Sequence, residues 1–261
     1  MSPSQVHEQA IIAASAKVAA GVRVGAYGVI GEDVELSEGC VLHEHAMVQG
    51  PSKIGRNNVF YPFCVIGGDP QDLRFKGERT ELTVGDGNTF REYVTITRGT
   101  VGGGGKTTIG SGSLFLASSH VGHDCHVGDH TLFVNGATLA GHVTVEDFAT
   151  IGFQSPVHQF CRVGRYAYIG ASTVITQDVP PFSRVVTERG TKSYGVNTIG
   201  LERKGFSEER LKVLARAFRL LSRSKMNTTQ ALAEMRKSIG DSKDVQELIR
   251  FIEAAERGIV K

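Results

Sequence analysis

A period of six residues runs through two thirds of this chain, and it limits the possible folds more than any other feature. Counting in sixes from Ile12 gives Val18, Val24, Ile30, Leu36, Leu42, Val48, Ile54, Phe60 and Ile66. The count resumes at Val84, Phe90 and Ile96. It resumes again at Ile109 and runs through Phe115, Val121, Val127, Phe133, Leu139, Val145, Ile151, Val157, Val163 and Ile169 to Ile175. All 25 positions are Ile, Val, Leu or Phe, although hydrophobic residues of every type make up only 40% of the chain. At that frequency chance would fill roughly ten of them at most. The physical reading is a short strand and a turn per hexad, with the large apolar side chain pointing inward onto its equivalent one coil away. Three hexads close a triangular coil of about 18 residues, and coils stack at the parallel-strand spacing of about 4.8 Å. Twenty-five hexads then build roughly eight coils whose stability comes from burial between neighbours.

Glycine, 32 residues in all, follows the inward residue in 11 hexads, as in Val24-Gly25 and Val121-Gly122. It is expected there to supply backbone freedom where the chain bends. Two stretches interrupt the count, residues 72–83 and residues 102–108. An insertion in a solenoid has to leave as a surface loop, and such loops often carry function. After Asp178-Val179-Pro180-Pro181 the pattern is expected to stop. From Ser207, a candidate N-cap, the spacing becomes helical through Leu211, Leu214, Phe218 and Leu221. Thr228 or Thr229 is expected to cap a second helix carrying Leu232 and Met235. A third, from about Ser242 to Glu256, carries Val245, Leu248, Ile249 and Ile252. The expected organisation is mainly β: a coil over residues 1–190 and a small C-terminal α-helical domain over 191–261.

Residues 18 apart lie above one another on such a prism. His123 and Gln159 are two coils apart with Gly141 midway, and His142 and His158 lie one position to either side of that column. The group falls at one edge, within about 10 Å along the axis, and His120 is half a hexad away. Two chemistries suit it. A neutral imidazole can take a proton from an attacking hydroxyl or amine near neutral pH. Alternatively, three imidazoles can hold zinc with one position open, as in a carbonic-anhydrase-like protein. A non-catalytic scaffold is the third possibility.

The segments His120-Val121-Gly122-His123-Asp124-Cys125, Leu139-Ala140-Gly141-His142-Val143, Val157-His158-Gln159-Phe160 and Gln177-Asp178-Val179-Pro180-Pro181 resemble the acyl-[acyl-carrier-protein]–UDP-N-acetylglucosamine O-acyltransferase family. Gln71-Asp72-Leu73 and Arg203-Lys204-Gly205-Phe206 resemble it too, so the likeness covers nearly the whole chain in order. It implies a left-handed parallel β-helix of hexapeptide repeats and the first reaction of lipid A biosynthesis. In that reaction a 3-hydroxyacyl chain moves from acyl carrier protein to the 3-hydroxyl of UDP-N-acetylglucosamine. By the same resemblance His123 is the general base, Asp124 orients it, and the Gly141 N–H stabilises the oxyanion. Asp72, Arg74, His120, His142, His158 and Gln159 would line the sugar-nucleotide and acyl site. Asn197, Arg203 and Lys204 would hold the UDP phosphates, a role to which arginine is chemically suited. Ala171 stands where the family limits the acyl chain, and its small side chain implies a long one. The resemblance also implies a homotrimer and no metal or diffusible cofactor. The repeats begin by Ile12, which is expected to distinguish the chain from a related N-acyltransferase with an extra N-terminal domain.

Two positions depart from the family pattern. Arg74 stands where many members have Lys, and Ile199 where many have Glu. These leave open an alternative, N-acylation of a 3-amino UDP-sugar. Charge and cysteine usage agree with a cytoplasmic enzyme acting on small molecules. Lys plus Arg is 29 against 27 Asp plus Glu, so no basic field invites nucleic acid. No apolar run is long enough for a membrane span, and Met1 to Gly21, Ala-rich but without basic residues at its start and interrupted by Lys17, is not expected to act as a signal peptide. Cys40, Cys64, Cys125 and Cys161 lie far apart without a CxxC pair, which fits a reducing compartment.

Overall fold

A strand of two residues cannot bury its side chain alone; it persists here because the same pair in the next coil lies directly against it. The computed structural model describes residues 5–187, 195–222 and 226–254. In it the hexads form three parallel sheets, one per face of a prism, in a parallel β-helix. The first face has ten strands, from Gln5–Val6 to Arg184–Val185. The second has eight, from Ile11–Ile12 to Pro156–Val157, and the third eight, from Lys17–Val18 to Arg162–Val163. The chain visits the faces in that order, so each coil turns three corners. Register follows the repeat: Val121 pairs with Leu139, and Leu139 with Val157. Of the counted residues only Ile12 and Val18 are not buried, because they sit in the first coil, at the end of the stack. Phe60, Phe90, Phe115 and Phe133 stack through the core with ring centroids 5.2, 5.1 and 4.7 Å apart.

The repeats extend further than the count suggested. Val6 adds a strand before Ile12, and Arg184–Val185 pairs with Tyr168–Ile169 beyond the two prolines. The first insertion begins and ends three residues earlier than expected, and the second begins four and ends three residues earlier. Residues 69–80 and 98–105 form the loops, whereas Glu81–Val84 and Lys106–Ile109 are four-residue strands paired with each other. That local pairing lengthens the strands and absorbs residues assigned to the loops. Both loops leave from the second-to-third corner. There the guanidinium of Arg98 donates to the carbonyls of Gly50 and Gly67, each at 2.8 Å, and pairs with Asp69, joining the bases of the two loops.

The hexad glycines have a different cause from the one expected. The left-handed corner conformation falls two positions later, on Asp124 (φ 58°), His142 (φ 63°) and Phe160 (φ 66°) among others. Gly110 and Gly122 are glycine because a Cβ would come within 2.6 Å of the Gly128 carbonyl carbon and 2.8 Å of that of Ala140. Space between coils, more than freedom at the bend, selects them.

The chain divides into two compact units, Met1–Thr187 and Glu188–Lys261; the boundary expected at residues 190 and 191 lies outside the described residues. The second unit contains α1 (Thr198–Glu202), α2 (Glu208–Ser222), α3 (Thr228–Ile239) and α4 (Lys243–Glu253). Ser207 Oγ accepts the Arg210 N–H at the start of α2. The cap of α3 is Asn227 in place of the threonines: its side chain accepts from Gln230 N–H, and Gln230 accepts from Asn227 N–H. This reciprocal pair satisfies two donors at once, which a threonine one position later cannot do. Ala217, Leu221, Leu232, Met235, Val245, Ile249 and Ile252 form the core of α2–α4. Among the described residues no helix is long and apolar enough to cross a membrane.

Candidate active site

The second-to-third corner of successive coils gathers the polar residues. His123 and Asp124 follow the strand His120–Val121, Gly141 and His142 follow Thr138–Leu139, and Gln159 and Phe160 follow Pro156–Val157. His123, Gly141 and Gln159 therefore occupy one column, two residues after mutually paired positions. At the next position of each corner Asp124, His142 and Phe160 take the left-handed conformation.

Asp124 is the fixed point. Its side chain is 1% exposed, and His123 Nδ1 lies 2.7 Å from its Oδ2. A buried carboxylate needs donors, and the second loop provides them. Thr100 N–H donates to Oδ1 at 2.7 Å and Thr100 Oγ1–H to Oδ2 at 2.6 Å. The Asp124 N–H in turn donates to Thr107 Oγ1 at 2.8 Å. Gly103 lies so close to the carboxylate that a Cβ would overlap it.

The His123 ring rests against Gly141, where a Cβ would stand 2.5 Å from ring atom Cε1. The Gly141 N–H has no acceptor among the described residues and is free to meet a ligand. His142 meets His123 edge-on, with centroids 5.1 Å apart, and stacks on Phe160 at 4.5 Å. His120 Nδ1 is engaged by Thr95 Oγ1 at 2.7 Å. Burial, then the nearby His123, holds His120 below its ordinary pKa, which favours the neutral ring.

The first loop brings Asp72 and Arg74 to the same neighbourhood. Arg74 grips the Asp72 carboxylate with Nε at 3.1 Å and Nη2 at 2.8 Å. Those hydrogen bonds hold Asp72 well below the usual carboxylate range, and the charge of His123 adds to the effect. Arg74 is raised mainly by Asp72 and slightly by Asp124, so the loop pair and the buried dyad act on one another electrostatically. His158 and Gln159 are exposed, with His158 Nδ1 3.2 Å from the Gln159 carbonyl oxygen.

Not every expected residue belongs to this corner of the β-helix. Ala171 is exposed at the first-to-second corner, a different edge of the prism, and its carbonyl accepts from Thr173. Asn197, Arg203 and Lys204 belong to the second unit, all exposed; Asn197 Oδ1 caps α1 by accepting from Gly200 N–H at 3.2 Å. The sequence reading missed Thr100, Gly103, Thr107 and Phe160. The run of four glycines at 102–105 was the one available signal, marking a close backbone approach.

His123, Asp124 and His142 place three ligand-type atoms within 4.8 Å of one another. That group is two imidazoles and a carboxylate, not the three imidazoles of the zinc alternative; among the described residues neither His120 nor His158 converges with it. Both Asp124 oxygens already accept hydrogen bonds. The donor set suits an oriented base better than an ion.

Comparison with known proteins gives a consistent result. A family model described as UDP N-acetylglucosamine O-acyltransferase, domain 2, matches residues 178–260. The acyl-[acyl-carrier-protein]–UDP-N-acetylglucosamine O-acyltransferase of Xylella fastidiosa is 46% identical over 258 residues, 99% of this chain and 98% of the relative. That of Thermodesulfovibrio yellowstonii is 42% identical over 258 residues, covering 99% of this chain and 100% of its own. Among solved structures, LpxA from Acinetobacter baumannii is 38% identical with a TM-score of 0.69, covering 98% of this chain and 99% of that one. A UDP-N-acetylglucosamine acyltransferase from Campylobacter jejuni is 30% identical with a TM-score of 0.67, covering 98% and 100%.

Proposed function

The chain belongs to the acyl-[acyl-carrier-protein]–UDP-N-acetylglucosamine O-acyltransferase family, and from that premise we propose that His123 drives acyl transfer to the sugar 3-hydroxyl. The donor is a 3-hydroxyacyl thioester of acyl carrier protein, the acceptor UDP-N-acetylglucosamine, and the reaction the first step of lipid A biosynthesis. The observation that carries this reading is the hydrogen bond of His123 Nδ1 to the buried Asp124 carboxylate. With the Nδ1 proton held there, the Nε2 lone pair is left to act as base.

Nε2 takes the proton of the 3-hydroxyl as its oxygen attacks the thioester carbonyl. The tetrahedral oxyanion then accepts from the Gly141 N–H, which is free to donate. Collapse breaks the carbon–sulfur bond and returns the proton from His123 to the departing pantetheine thiolate. Asp72, Arg74, His120, His142, His158 and Gln159 line the sugar-nucleotide and acyl site. Asn197, Arg203 and Lys204 bind the diphosphate, and Ala171 admits a long acyl chain. No metal or diffusible cofactor enters these steps.

The working form is a homotrimer with sites between neighbouring prisms. Ala171 and His123 occupy different edges of one prism, so an acyl chain touching both positions needs a second copy. The four buried free thiols suit the reducing cytoplasm.

His123→Ala tests the base directly. Turnover should fall by about 10²–10⁴-fold, the usual worth of a general base, with the melting profile unchanged. Near-normal turnover in a folded variant would reject the assignment.

A further inference from the structure

We propose that Thr100, in the second loop, is a positioning residue for the reaction, fixing the charge and orientation of Asp124 and through it the proton-accepting state of His123. This rests on the reading of His123 as the base. Thr100 is buried, and its hydroxyl has a determined direction. Oγ1 accepts the Gly103 N–H at 3.2 Å, which turns its single hydrogen toward Asp124 Oδ2 at 2.6 Å. The Thr100 backbone N–H takes Oδ1. Asp124 Oδ2 is therefore shared by two donors, the threonine hydroxyl and His123 Nδ1–H. A second donor on one oxygen draws electron density from it. It stabilises the buried carboxylate as an anion and weakens its pull on the imidazole proton.

Removing the hydroxyl leaves Oδ2 with His123 as its only side-chain donor. The imidazolium is then better stabilised, so a higher pH is needed to free the Nε2 lone pair, and with Asp124 no longer braced from the loop the imidazole is less well oriented for the attacking step. The other ionisable groups near His123 and Asp124 are Asp72 and Arg74 from the first loop, His120 on the preceding strand and His142 from the next coil. None of them is changed by a substitution at residue 100. The loop thus does more than leave the solenoid and return: it supplies the third member of a Thr–Asp–His relay.

The test compares Thr100→Val, which keeps the shape and removes the hydroxyl, with Thr100→Ser, which keeps the hydroxyl. His123→Ala is run beside them, using acyl carrier protein thioester and UDP-N-acetylglucosamine. Val should lower kcat by about ten- to hundredfold, the worth of one hydrogen bond to a charged group. KM for the sugar nucleotide should stay within about twofold, and the acid limb of the pH–rate profile should move upward. Ser should restore most of the rate and the original limb. Should Val not fold, Thr100→Ala is read in the same way. Wild-type kcat and an unmoved limb in the hydroxyl-free variant, with His123→Ala inactive, overturn the Thr100 role alone. Equal loss in Val and Ser also overturns it, since the hydroxyl would then not matter. An active His123→Ala overturns the base itself.

Discussion

Gly141 has no room for a side chain because the His123 ring occupies the space a Cβ would need, 2.5 Å from Cε1. The same residue offers an N–H with no acceptor among the described residues, so the proposed base and the proposed oxyanion donor lie side by side on adjacent coils. Gly141→Ala should push the imidazole aside and lower kcat about a hundredfold, comparable to losing an oxyanion donor. Gly141 lies at a half-buried corner, so its melting temperature should change little; a fully active alanine variant would separate the glycine from the chemistry. The column of His123, Gly141 and Gln159 was legible by counting, because the repeat fixes which residues stack. Thr100 was not, since it lies in an insertion that has no register. Its contact with Asp124 is made by the folded loop and leaves no trace in spacing.

At the level of elements, the hexad is a local instruction, one inward residue per short strand, which is why the sheets could be read from Ile12 to Ile175. What surrounds that residue was less legible. Among the described residues sixteen that are not glycine take the left-handed conformation, Tyr27, His45 and Phe63 among them, so glycine alone does not mark the bend. The hexad glycines report instead on the coil above. Gly110→Ala, with its Cβ 2.6 Å from the Gly128 carbonyl carbon, should destabilise the β-helix by about 1–3 kcal/mol. Gly102→Ala meets nothing within 4 Å and should leave the melting temperature close to wild type. Calorimetry on the pair distinguishes the two causes: equal effects would return the explanation to backbone freedom. The cap of α3 was misread by one residue because Asn227 and Gln230 act reciprocally, and a cap judged from single residues misses such a pair.

For the whole molecule, the β-helical unit carries His123 and the Asp124 carboxylate bonded to it, while Asn197, Arg203 and Lys204 are in the helical unit. A flat-sided prism with its polar cluster along one edge cannot enclose a substrate alone, and closed cyclic symmetry is the expected way to build walls. Light scattering of the active protein should give three times 28.1 kDa; a fully active monomer would contradict sites built between copies. The acceptor atom is the least legible part of the account, because Arg74 and the exposed Ile199 alter groups assigned to the sugar nucleotide without naming a hydroxyl or an amine. One measurement reaches that point and the central claim together. The protein is incubated with 3-hydroxyacyl-acyl carrier protein and UDP-N-acetylglucosamine or its 3-amino counterpart, and the product is treated with mild alkali. Transfer to the hydroxyl sugar, giving a product whose acyl chain is released by alkali as an ester, is the predicted result. No thioester-dependent transfer, or an alkali-stable amide formed preferentially on the 3-amino sugar, would contradict it.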